Sequence, residues 1–245
     1  MFEVEHNDAG TALKRRRPFV VSFSGIDGAG KTTQIDALTV WLRDSGLRVR
    51  LLRFWDDIAV AGTMRETLSH KLFKSEKGVG SPGKPVQRRD KNVRAWYMTA
   101  ARLLLYFVDA AHLTFVMATA SRKDADVVIF DRYLHDQVVN LGLQNPATRA
   151  YTALLLKMVP RPDIAFLLDA DPAEARARKP EYPLEFLQNI RVAYLALAQS
   201  TGMTKIDPLT AQEVTRGVLR AMPRASLLRA VDPQQASLAN NLTSK

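Results

Sequence analysis

The stretch Gly25-Ile26-Asp27-Gly28-Ala29-Gly30-Lys31-Thr32-Thr33 constrains this chain more than any other. Gly25, four residues, then Gly30, Lys31 and Thr32 make a complete phosphate-binding loop. Its context gives it a mechanism. Phe19-Val20-Val21-Ser22-Phe23 before it is an apolar, β-branched run with the character of a buried strand. After it, Ile35, Leu38 and Leu42 recur at helical spacing, with Ala37 and Trp41 beside them. Strand, glycine loop and helix N-terminus in succession let backbone N–H groups and the helix dipole surround a phosphate chain. Gly25, Gly28 and Gly30 bring the backbone close to the phosphates, with Ala29 between them and Thr33 in the first helical turn. Lys31 reaches the β and γ oxygens, and the Thr32 hydroxyl is offered to Mg²⁺. The segment implies binding of a nucleoside triphosphate.

The rest of the chain alternates strands with helices. Residues 48–53 read as a second strand, and Val127-Val128-Ile129-Phe130, ending at Asp131, as a third buried in a parallel sheet. Ile164-Ala165-Phe166-Leu167-Leu168 forms a fourth strand and Thr204-Lys205-Ile206 a short fifth. Helical patterns cover about 31–45, 92–120, 134–141, 147–158, 184–199 and 211–222, with a further helix starting at Asp171 and carrying Pro at N1. This alternation predicts a parallel sheet covered on both faces, an α/β/α three-layer domain. Ligands then sit at the carboxyl ends of the strands, where the phosphate loop, Arg53, Asp131 and Asp169 fall.

Composition bounds the remainder. With 245 residues, 47% of them apolar, the chain can bury one full core. No cysteine is present, which excludes thiolate metal sites and disulfides and suits a cytoplasmic setting. The four histidines lie far apart, without metal-ligand spacing. The helix over 96–120 contains Arg102, Asp109 and His112, so it reads as a buried helix rather than a membrane span.

The formal net charge of +10 sits in two places: the run Lys14 to Arg17, and residues 71–94, where eight basic residues stand against Glu76 and Asp90. These are read either as a solvated surface or as a means of attracting polyphosphate, nucleic acid or anionic lipid. Aromatics are not interleaved in the 74–90 loop, which argues against single-stranded nucleic acid. The organisation expected is a mobile basic arm over 1–17, a kinase domain over 18–222 with a flexible loop at 74–90, and a peripheral tail over 223–245.

Asp131-Arg132-Tyr133 follows directly on the third strand. A carboxylate there can hold Mg²⁺, and the adjacent arginine can grip a second phosphate bidentately. The segment 176–183 ends a helix in the basic cluster Arg176, Arg178 and Lys179 before Pro180 and Pro183. A lid of that composition stabilises negative charge on a phosphoryl group in transfer. Arg102, Tyr106, Asp109 and His112 recur every three or four residues and form one polar stripe, which faces either a ligand or structural partners. Phe54 and Trp55 after the second strand either stack on a base or cap the core.

In this order the motifs FSGIDGAGKTTQ, DRY, DADPAEARARK and KIDP resemble those of the thymidylate kinase family of P-loop nucleoside monophosphate kinases, over about 18–222. The resemblance implies a P-loop NTPase fold with a five-stranded parallel sheet and small basic lid, an ATP·Mg²⁺ donor, a nucleoside monophosphate acceptor such as dTMP and a homodimer. It gives Asp27 a part in organising the acceptor side. Glycine at position 28 together with a basic lid is similar to the bacterial type. Departures fall on the acceptor side. Ala110 follows Asp109 where members carry Arg, and Asp136, Asn140 and Leu141 stand where Ser, Tyr and Gln are common. On this reading Lys31, Asp27, Arg132, Arg176 and Arg178 are catalytic, with Thr32 and Asp131 holding the metal. Arg53, Trp55, Arg102, Tyr106, Asp109, Arg132 and Tyr133 would meet the acceptor. The alternatives are a kinase for another phosphorylated metabolite, or an ATP-regulated module that binds nucleic acid or an anionic surface.

Overall fold

A computed structural model describes residues 17–60, 96–120, 125–141, 145–207 and 211–222. The basic run at 14–16, the segment 71–94 with its 74–90 loop, and the tail from 223 lie outside these residues. Five strands run parallel in the order β2-β3-β1-β4-β5: β1 Phe19–Ser24, β2 Val49–Arg53, β3 Val127–Asp131, β4 Ile164–Leu168 and β5 Thr204–Ile206. The central strand β1 is buried along its whole length, as its apolar sequence demands.

Helices α1 (Lys31–Asp44), α2 (Trp96–Thr119), α3 (Leu134–Val138) and α4 (Pro146–Met158) connect the strands. They are followed by α5 (Pro172–Arg178), α6 (Leu184–Thr201) and α7 (Ala211–Ala221). With this strand order, right-handed crossovers put α1 on one face of the sheet and α2 to α6 on the other. The packing agrees: α7 closes over α1 and β4, while α2 packs on α4 and α5 on α6. Helix α1 ends where Ser45 and Gly46 suggest, with Gly46 left-handed at φ +75°. Arg17, the last residue of the expected arm, is anchored to the fold by a 2.9 Å ion pair with Asp163, whose carboxylate also accepts the Val20 N–H.

Helix α2 departs from expectation. Ala110, Leu113 and Met117 enter the core, but Leu104, Phe107, Val108 and Phe115 are exposed, Leu104 and Phe115 each at 64%. Its apolar composition therefore reflects two faces, only one of which packs on this chain's core. The helix is long and apolar enough to cross a membrane by length and composition. Asp109 and His112 tie it into the fold by hydrogen bonds instead.

Candidate active site

The site grows from the carboxyl end of β1. Gly25 has φ +143° and Gly28 φ +82°, conformations that L side chains rarely adopt. A Cβ at Gly28 would stand 2.1 Å from the Ala175 carbonyl oxygen on α5. The glycine that the family resemblance associates with the bacterial type is thus required here by backbone contact: an arginine could not take its place without moving α5. Gly30 caps α1 in a left-handed conformation without a side-chain bond, and no acidic residue lies in the first turn. The N–H groups there are left for an anion. Thr32 and Thr33 are exposed in that turn, and Ala29 is buried beneath the loop.

Lys31 is buried and donates from Nζ to the carbonyl oxygens of Gly25 and Ile26, each at 2.9 Å. Desolvation, and then the neighbouring Arg132, lower its pKa from 10.5 to about 8. Arg132 is left-handed at φ +69°, a backbone strain of order 1–3 kcal/mol for a non-glycine residue. It is held there from both ends. Its N–H donates to Phe23 O at 2.9 Å, while the guanidinium pairs through Nη2 with Asp27 and through Nη1 with Asp136 at 3.1 Å. Burial works against the charge on Arg132, but Asp136 and then Asp27 outweigh it and hold the guanidinium above its ordinary value.

Asp136, in the first turn of α3, is the best-satisfied group in the site. Oδ2 accepts from Ser24 Oγ at 2.6 Å and Tyr133 N–H at 3.1 Å, while Oδ1 accepts from Arg132 and from Tyr194 Oη at 2.7 Å. Asp131 sits half-buried in register with Phe23 on β1 and Arg53 on β2, which aligns these three residues in one row at the sheet's edge. Its carboxylate makes no hydrogen bond among the described residues.

The residues expected to form a lid follow the loop contact. Arg176, next to Ala175, has a buried Nε that finds no hydrogen-bond partner among the described residues. Arg178 is exposed and lies 3.7 Å from Glu174, and Lys179 pairs with Glu181 at 3.2 Å. Asp169, at the end of β4, is engaged by Arg191 and Lys205. The Arg191 hydrogen bond holds its carboxyl below the usual range.

The structure therefore brings together Lys31, Asp27, Asp131 and Arg132, with Arg53 in the next strand. Other residues expected to meet the acceptor go elsewhere. Tyr133 is fully buried, its ring edge-on to Phe130 and its hydroxyl donating to Pro160 O at 2.5 Å. Asp109 is likewise buried; it accepts the Val60 N–H at 2.7 Å and a bond from Gln137. His112 Nδ1 lies 2.7 Å from Ile58 O. The C-terminal half of the polar stripe thus fastens α2 to the turn Phe54–Ile58 after β2, and Ala110 is wholly in the core. Arg102 and Tyr106 are half-buried farther along α2, and Trp55 is 42% exposed, edge-on to the buried Phe54. The sequence reading did not single out Ser24, Asp136 or Tyr194 as site residues. Asp136 carried two signals, its place among the acceptor-side departures and an acidic residue at N3 of a helix that opens at Tyr133; Tyr194 carried none.

No family model matches the chain. Among curated proteins, the thymidylate kinase of Chlorobaculum parvum is 28% identical over 227 residues, covering 83% of this chain and 94% of that protein. A protein named probable thymidylate kinase in Pyrococcus abyssi is 31% identical over 192 residues, covering 75% of this chain and 84% of its own. The chain belongs to the thymidylate kinase family. Membership makes it a nucleoside monophosphate kinase, in keeping with the parallel five-stranded fold. The thymidylate kinase of Chlorobium luteolum is 28% identical over 203 residues, covering 74% of this chain and 84% of that protein.

Proposed function

We propose that the chain transfers the γ-phosphoryl group of ATP to dTMP, giving dTDP and ADP. The observation that carries this reading is the meeting of a donor cradle and a phosphate-gripping arginine in one crevice: Lys31 and Arg132 share Asp27 and Asp136 as charged neighbours. Donor phosphates replace the Gly25 and Ile26 carbonyls as partners of Lys31, so the ammonium exchanges one set of oxygens for another. An oxygen of the acceptor phosphate attacks the γ phosphorus as the bond to the β-bridging oxygen breaks, and ADP leaves. Arg176 and Arg178 supply charge to the transferred group when the lid closes.

The hydroxyl of Thr32 and the carboxylate of Asp131 are oxygen donors of the kind Mg²⁺ takes beside phosphates and water, and Asp131 has its oxygens open to that use. A bound Mg²⁺ would neutralise phosphate charge there. Arg132 and Arg53 serve the acceptor phosphate, with Trp55, Arg102 and Tyr106 available to the nucleoside. The same reading puts the reaction in the cytoplasm, with its nucleotide pool.

An ADP-release assay across the nucleoside monophosphates tests this. The highest kcat/KM is expected for dTMP. Tenfold preference for another monophosphate overturns the acceptor, and release of ADP with none of them overturns the kinase.

The reading extends to a homodimer through the exposed apolar face of α2, where Leu104, Phe107, Val108 and Phe115 align. Sedimentation of the Leu104→Glu/Phe115→Glu variant is expected to show a folded monomer where the parent is a dimer. A parent that sediments as a monomer rules this out.

A further inference from the structure

Two carboxylates hold the Arg132 guanidinium, and they are built differently. The Asp136 side chain has no exposed surface, and each of its oxygens takes two donors, from β1, the turn between β3 and α3, and α6. Removing Asp136 from Arg132 would strand Ser24 Oγ, the Tyr133 N–H and Tyr194 Oη, all desolvated. Asp27 sits on the glycine loop with 22% of its side chain exposed. A phosphate that approaches Arg132 therefore meets one partner it can displace and one it cannot.

We propose that Asp136, steadied by the Tyr194 hydroxyl, is the fixed anchor of Arg132, and that Asp27 is its exchangeable partner. The acceptor phosphate then binds by taking the place of Asp27 on Nη2 while Asp136 keeps the arginine aimed from Nη1. Asp136 and Tyr194 act through Arg132 and are positioning residues. Tyr194 belongs to α6, which packs on the lid helix α5, so the anchor also ties the aim of the acceptor arginine to the element that carries the lid. This inference rests on the acceptor reading of Arg132 given above.

The two carboxylates should respond to neutralisation with opposite signs. Were each merely lowering the local positive charge, Asp27→Asn and Asp136→Asn would both tighten phosphate binding. Were each merely structural, both would weaken it. An anchor and an exchangeable partner instead require Asp27→Asn to tighten dTMP binding about threefold or more, and Asp136→Asn to weaken it at least tenfold. Tyr194→Phe, which keeps the ring and removes one donor, should weaken it threefold to tenfold with ATP affinity within twofold. Calorimetric titration with dTMP reads all three, and thermal melting checks that each variant folds. Like signs for the two aspartates, or an unchanged dTMP affinity in Tyr194→Phe, overturn the proposal.

A ligand-free measurement separates this inference from the choice of substrate. Hydrogen exchange at the Arg132 guanidinium, followed by NMR, should quicken at least tenfold in Asp136→Asn and less than twofold in Asp27→Asn. If that pattern holds while dTMP fails to bind the parent, the substrate assignment falls and the anchor stands. If exchange quickens equally in both variants, the anchor falls whatever the substrate.

Discussion

Lys31 offers a test in which one group makes stability and ligand binding move in opposite directions. Its pKa falls from 10.5 to about 8 in the folded protein, because burial penalises the ammonium and Arg132 repels it. Below pH 8 the folded chain bears the cost of that charge in full. Between pH 8 and 10.5 the unfolded chain binds a proton that the folded chain has released, so stability rises with pH in that window. The slope is about 1.4 kcal/mol per pH unit, and the whole shift corresponds to roughly 3 kcal/mol. Lys31→Met keeps the length and removes the titration, so the difference between parent and variant isolates this one residue. Urea denaturation at pH 8 and 9.5 should show the parent gaining about 2 kcal/mol on Lys31→Met across that interval. ATP binding should run the other way, because donor phosphates need the ammonium. Affinity for ATP in the parent should fall by up to tenfold per unit above pH 8, while phosphoryl transfer by Lys31→Met is lost at every pH. A stability difference that stays flat from pH 8 to 9.5, together with an ATP affinity that does not change, would refute the account of Lys31 as a buried, loop-bound cation.

Two further outcomes follow from the loop and lid. Gly28→Ala forces a left-handed alanine against the Ala175 carbonyl. It is expected to lower stability by about 2–4 kcal/mol and ATP affinity with it; a melting temperature equal to the parent's would show that α5 gives way freely. Arg176→Ala/Arg178→Ala should lower kcat at least a hundredfold, with KM for both substrates within about threefold, because the charge they meet develops only during transfer; equal losses in binding and turnover would make them ordinary ligand contacts.

The frame of the molecule was legible where local sequence carries its own explanation. The apolar run at 164–168 and the short run Thr204-Lys205-Ile206 are β4 and β5 to the residue, and the glycine loop lies between β1 and α1 as read. The reading ran short wherever a polar side chain is satisfied by distant chain. The stripe with Asp109 and His112 stayed open between a ligand and structural partners, because those partners, Val60 N–H, Gln137 and Ile58 O, belong to other elements that helical spacing cannot reveal. Tyr133 follows Arg132 in sequence, but the left-handed turn at Arg132 and the start of α3 direct it inward. The Asp136–Tyr194 bond joins α3 to α6 across the fold, and neither residue announces the other. Helix α2 shows the limit of composition: a mostly apolar helix reads as buried, yet Leu104, Phe107, Val108 and Phe115 are exposed.

The row formed by Phe23, Asp131 and Arg53 bears on how such an enzyme can change over evolutionary time. These residues stand level because three strands share a register, not because of the length of chain between them. Between β2 and β3 the described residues include the turn Phe54–Ile58 and helix α2, both outside the sheet. A change in the length of chain between these two strands leaves this row where the ladder puts it, provided that α2 still docks. A one-residue slip of β2 or β3 would instead turn every side chain on that strand to the opposite face and dismantle the site. The architecture thus separates a connection whose length can vary from a scaffold that tolerates almost no sliding.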